Sequence, residues 1–214
     1  MVNADLIIGP RKVGDGVLQT ARGDKFCDLT VTYGRGGYYA DPALRQQIFV
    51  ASTAGTGVAP GTALGQTALI VIWNPTGSGV NAFVQKTSVG FVSGTLGAGS
   101  IVYGQAASPA APTGTGIVTI TPVSTYLGGS AGKCQAFTWD GTHNILANAL
   151  TLIRPAYLSG AFTTTTAIAP QVSSEWLHGE IMIPPGYVFG LTGIMAAGTS
   201  PLMMGAVEWS EELI

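Results

Sequence analysis

The chain predicts an all-β protein, a sandwich of two packed sheets, and three observations carry that expectation. Short runs of β-branched and aromatic residues recur along its length, each bounded by Gly, Pro, Asn or Ser. Long stretches of helical spacing are missing, which leaves sheet on sheet as the layer arrangement. Between Ile48 and Ser174 the only formal charges are Lys86, Lys133, Asp140 and Arg154. The surface of this half is therefore either neutral or buried against other chains.

A chain of 214 residues fits one large all-β domain. The expected organisation is an extended N-terminal arm over residues 1–25, dotted with Gly9, Pro10, Gly14, Gly16 and Gly23, followed by a single sandwich domain over 26–214. Predicted strands, in order, are Val17–Thr20, Phe26–Tyr33, Ile48–Ser52, Thr67–Trp73, Asn81–Val92, Ser100–Gln105, Gly116–Val123, Lys133–Trp139, Leu150–Arg154, Trp176–Ile183, Val188–Ala196 and Leu202–Trp209. Ala68 to Trp73 shows no polar alternation, so this strand should be buried on both faces. In Trp176–Ile183 the residues Leu177, Ile181 and Ile183 alternate with His178 and Glu180, so one face is core and the other is wet or meets a partner.

Punctuation comes from proline and glycine. Asn74-Pro75-Thr76-Gly77-Ser78-Gly79 predicts a hairpin between its flanking runs, and Pro184-Pro185-Gly186 predicts a second reversal. One or two short helices are expected. Asp41 followed by Pro42 gives an N-cap and first-turn signal up to Gln46, whereas Thr142–Ile153 suits a helix through Ile145, Ala149 and Leu152 and a strand through Thr151–Arg154. Thr53–Gly65 and Ala106–Gly116 read as loops rich in small residues.

Catalytic and metal-binding patterns are scarce. His143 and His178 are the whole imidazole supply, and Cys27 and Cys134 form no C-x-x-C pair, so no metal or cofactor is expected. The two cysteines read as buried free thiols. Gly128-Gly129-Ser130-Ala131-Gly132-Lys133-Cys134 resembles a phosphate loop, but its spacing is one residue short and Cys134 replaces the magnesium-binding hydroxyl. Gly34–Tyr39 could shape an anion concavity with Arg35 and reads more simply as a connection. Glu175, Glu180 and Asp140 show no glycosidase spacing. Trp73, Trp139, Trp176 and Trp209 read as core anchors, except that Trp176 lies on the polar side of its strand. No enzyme is expected.

Net charge is −2, with charged residues at 9%, so nothing draws the chain to nucleic acid. The opening residues lack a basic segment before a long apolar stretch, and no apolar run approaches membrane-spanning length, so neither a signal peptide nor a membrane partner is expected. Charge is polarised: Arg11, Lys12, Arg22, Lys25, Arg35 and Arg45 lie near the start, and Glu175, Glu180, Glu208, Glu211 and Glu212 near the end. Either this is chance, or the opposite ends meet within or between subunits.

Gly36-Gly37-Tyr38-Tyr39-Ala40, Phe49-Val50-Ala51-Ser52-Thr53, Trp73 to Asn81, Ile183-Pro184-Pro185-Gly186-Tyr187 and Ala206 to Glu212 resemble a group of structural proteins of tailed-bacteriophage heads. The resemblance implies a jelly-roll or related β-sandwich decoration (cement) protein, made in the host cytoplasm and placed on the outer surface of the capsid. It would bind the major capsid protein and itself, as a homo-trimer rather than a dimer. On that reading Arg11, Lys12, Arg22, Lys25 and Arg35 are the candidate capsid contacts. Two alternatives stay open: a head-fibre or tail module binding host glycan, with Trp176 and Tyr187 as platforms, and a jelly-roll capsid subunit.

Overall fold

A computed structural model describes residues 42–43, 45–159, 162–163, 172–196 and 198–214. The proposed arm and the predicted strands Val17–Thr20 and Phe26–Tyr33 lie outside the described residues. The described part is all-β: two antiparallel sheets of five and six strands form a sandwich, with a two-stranded ribbon beside them.

The strands are β1 (Ile48–Ser52), β2 (Ile70–Asn74), β3 (Val80–Ser93), β4 (Thr95–Leu96), β5 (Gly99–Ala107), β6 (Ile117–Ile120), β7 (Val123–Ser124), β8 (Gln135–Trp139), β9 (Thr151–Ser159), β10 (Phe162–Thr163), β11 (Val172–Ile183), β12 (Tyr187–Met195) and β13 (Leu202–Leu213). One sheet runs β11-β3-β13-β1-β7 and the other β6-β8-β2-β12-β5-β9. Four nested antiparallel pairs define the wiring: β1 with β13, β2 with β12, β3 with β11 and β5 with β9. A long hairpin rolled so that its successive pairs fall alternately in two sheets is a jelly roll.

This wiring corrects the two predicted hairpins. Asn74–Gly79 turns as expected, with the Ser78 N–H donating to Pro75 O at 3.0 Å. Gly77 and Gly79 have φ of 81° and 73°, which L-residues avoid. Yet β2 and β3 belong to different sheets, so the turn is a corner that carries the chain across the sandwich. Pro184–Gly186 is a second such corner, between β11 and β12. The single strand predicted over Gly116–Val123 is likewise two: β6 pairs with β8 in one sheet and β7 with β1 in the other. Pro122, which has no N–H for a ladder, stands in the break.

Of the predicted helices, Pro42–Ala43 gives one turn, closed by Gln46 and Gln47 N–H groups on Ala43 O and Pro42 O, each at 2.9 Å. Thr142–Ile153 is not a helix: Leu150 N–H bonds Gly65 O at 2.8 Å, and β9 begins at Thr151. Pro155 lies within β9, which is tolerated because β9 is an edge strand.

The main core fills the space between the sheets around Leu69, Ile72, Val84, Tyr103, Phe189 and Trp209. A second core covers the outer face of the six-stranded sheet. There Val71, Trp73, Phe137, Trp139 and Val188 pack against Ile145, Leu146, Leu150 and Ala59 from the flanking loops. Every residue of β2 is consequently buried, as its unbroken apolar run predicts.

Candidate interaction surfaces

The outer face of the five-stranded sheet differs from that of its partner sheet. Directly opposed residues share a face, and one register row crosses all five strands: Val123, Val50, Glu208, Lys86 and Trp176. The next row, Ser52, Ala206, Ser88 and Ser174, carries no charge at all. Most of these side chains are half-buried or exposed, in contrast to the covered aromatic face of the other sheet.

Within the charged row the groups neutralise one another. Lys86 Nζ stands 4.5 Å from the centre of the Trp176 ring, a cation–π contact, and opposes Glu208 across the strand pair. Burial lifts the Glu208 carboxyl above its ordinary range, and Lys86 offsets only part of that. Trp176 is 48% exposed and stacks on His178 at 5.8 Å between ring centres. The other proposed platform, Tyr187, is 41% exposed on β12 of the opposite sheet. Arg11, Lys12, Arg22, Lys25 and Arg35 lie outside the described residues, as do Cys27 and the Gly34–Tyr39 segment.

His178 is held by a feature that alternation alone does not foresee. Between Trp176 and Ile181 the register of β11 slips against β3, and His178 and Gly179 take φ of 50° and 83°. Four residues of β11 here stand opposite Gln85 alone, which is buried and donates to Ser210 Oγ at 2.8 Å. An isolated glycine in an alternating strand, here Gly179, is the sequence signal for it.

At the edge where β9 meets β11, a polar network ties the two sheets. The Tyr103 hydroxyl donates to Glu175 Oε2 at 2.8 Å and lies 2.6 Å from Thr87 Oγ1, which is also 2.7 Å from the Tyr157 hydroxyl. Arg154 Nη2 reaches Glu175 Oε1 at 2.7 Å and Glu180 Oε2 at 3.4 Å. Burial pushes both phenols upward, so they hold their protons and act as donors. Glu175 and Glu180 are thereby occupied as ion-pair partners of Arg154.

The loop that resembled a phosphate cradle does bind an anion, and the anion is the chain's own. Lys133 and Cys134 N–H groups donate to Glu211 Oε2 and Oε1 at 2.7 and 2.9 Å, and Trp209 Nε1 adds a third bond at 3.1 Å. A Cβ on Gly132 would come within 2.6 Å of Glu211 Oε1, so a side chain there would force the carboxylate to shift. Cys134 is a buried free thiol, as expected, and burial beside Glu211 raises it.

Asp140 forms a tight turn after β8. Its Oδ1 accepts from the Thr142 and His143 N–H groups at 2.8 and 2.9 Å, and its Oδ2 lies 2.6 Å from His143 Nδ1. No group of three metal-ligating side chains occurs among the described residues, and no helix there is long and apolar enough to cross a membrane. Comparison with protein-family models, with curated proteins and with solved structures found no match.

Proposed function

We propose that this protein is a non-enzymatic component of a bacteriophage head, a decoration protein that self-associates and binds the major capsid protein on the outside of the shell. The supporting observation is the contrast between its two outer faces. One is roofed by the chain's own loops; the other offers a nearly neutral sheet whose central row holds the Glu208 and Lys86 charges opposite each other. Such a face costs little to desolvate, because few charges must leave water. It suits permanent contacts of roughly 2,000–5,000 Å². A ligand that prefers the assembled shell stabilises it by mass action.

On this reading the N-terminal basic residues Arg11, Lys12, Arg22, Lys25 and Arg35 add lattice contacts. The test is co-sedimentation of the purified protein with phage shells lacking it, followed by thermal melting of the decorated shells. Binding that raises the shell's melting temperature is expected, and deletion of residues before Lys25 should weaken it. A monomer that ignores shells sinks the proposal. The jelly-roll wiring also favours a second reading, a capsid subunit in its own right. Copy number from a stained gel of purified virions separates the two.

A further inference from the structure

We propose that the edge of β6 that no described strand covers, with the groove beside it, is a strand-addition site for an extended, β-branched segment of another protein that carries a basic residue at the end next to Asp140. The inference rests on the edge and groove alone and not on the phage-head reading.

Edge strands present unpaired backbone N–H and C=O groups, and proteins usually guard them. Among the described residues, three of the four sandwich edges are guarded. β9 contains Pro155, β11 is broken by its bulge and bears Glu175 and Glu180, and β7 is two residues long. β6 is different: Ile117-Val118-Thr119-Ile120 has no proline, no charge and no bulge, and among the described residues it pairs with β8 alone. Val118 is 48% exposed, so one face of this strand is open to solvent.

A groove of about 470 Å³ lies along β6. Val118, Ile120, Trp139, Val58, Ala59 and Leu202 give it apolar walls, and Asp140 is the one charged residue in its lining. The register fixes the polarity of the site. Ile117 pairs with Trp139, which puts the Ile117 end beside Asp140, while the Ile120 end is closed where Thr121 and Pro122 cross to β7. A guest running antiparallel to β6 therefore brings its C-terminal end to the carboxylate. Backbone ladder bonds would give affinity and alternate side chains in the groove would give selectivity. With four residues of edge, the contact belongs below about 1,200 Å², among transient complexes.

The probe is a short fluorescein-labelled peptide that alternates valine and threonine and ends in lysine, titrated against the full chain by fluorescence anisotropy. Saturable binding is expected, together with slowed amide exchange at Val118–Ile120. A proline in the middle of the peptide, or Val118→Asp in the protein, should weaken binding about tenfold. Asp140→Asn, which keeps an oxygen to accept from the Thr142 and His143 N–H groups, should weaken the lysine peptide more than a serine-ended one, whatever the folding of Val118→Asp. Equal binding of the proline peptide, or unchanged exchange at β6, overturns the proposal. Self-association that is lost in Val118→Asp, with no peptide binding to the parent, overturns it in favour of a second copy at this edge.

Discussion

Asn74 Nδ2 donates to the carbonyl oxygen of Ile183 at 2.8 Å, joining residues 109 positions apart. The same amide donates to Val80 O at 2.8 Å, and Asn74 O accepts from the Gly186 N–H at 2.8 Å. One fully buried side chain thus ties together the two corners at which the chain passes between sheets. Replacing it with alanine strips two buried carbonyls of their donor, and each such loss costs about 1–3 kcal/mol. Asn74→Ala should therefore lower the unfolding free energy by about 2–4 kcal/mol in equilibrium urea denaturation. Asn74→Asp should do worse, since a buried carboxylate cannot donate and resists desolvation. An unchanged midpoint in both variants would show that the corners hold without this side chain.

Glu211 plays a comparable part at another end of the sandwich. Its carboxylate accepts from Lys133, Cys134 and Trp209 while only 7% exposed. Glu211→Ala leaves two buried N–H groups and a part-buried one without an acceptor and is expected to cost about 2–4 kcal/mol. Glu211→Gln, which keeps one carbonyl oxygen, should cost less. Gly132→Ala should resemble the alanine variant by pushing the carboxylate out of its cradle. Denaturation followed by tryptophan fluorescence checks all three, with Trp209, whose indole shares an acceptor with the loop, as one of the four reporters. A Gly132→Ala protein as stable as the parent would show that the loop can yield.

Much of the sandwich was legible in local chemistry, and the losses have a common physical source. β1 begins and ends where its residues predict, and the unbroken Ala68–Trp73 run correctly marks a strand covered on both faces. Turn positions were legible too, since proline and glycine act locally. What Asn74–Gly79 and Pro184–Gly186 do not encode is which sheet the next strand joins; that depends on partners more than a hundred residues away, such as Ile183 for Asn74. Trp176 was readable as exposed from alternation, but its pairing with Lys86 and Glu208 needed the register of three strands. The Gly128–Cys134 loop was legible as an anion cradle in shape, and its occupant, Glu211, was not, because it arrives from the far end of the chain.

Glu208 should report on the neutral sheet face. Burial raises its carboxyl above the unfolded value by more than Lys86 lowers it. A carboxyl raised on folding favours the protonated form, so it detracts from stability above its folded value and the penalty disappears as pH falls through the unfolded one. Glu208→Gln is therefore expected to be at least as stable as the parent at pH 7, with the difference vanishing in acid. Paired urea titrations at the two pH values check this. A variant clearly less stable at neutral pH would mean that attraction to Lys86 outweighs the cost of burial.

Asp140 should behave in the opposite sense. Donation from the His143 backbone N–H, then the His143 ring and the Thr142 N–H, lowers its carboxyl to about 2. A depressed carboxylate contributes its full stabilisation above the unfolded value, near 3.9, and loses it as pH falls toward the folded one. The turn after β8 should consequently loosen between about pH 4 and pH 2 while the buried strands persist. Amide resonances of Thr142 and His143 give the readout, because both N–H groups donate to the titrating oxygen. Their shifts should follow one acid transition in the parent and none in Asp140→Asn. Since Asp140 also lines the groove beside β6, a midpoint near the ordinary carboxyl value would indicate that the hydrogen bonds shaping this end of the groove are not formed in solution.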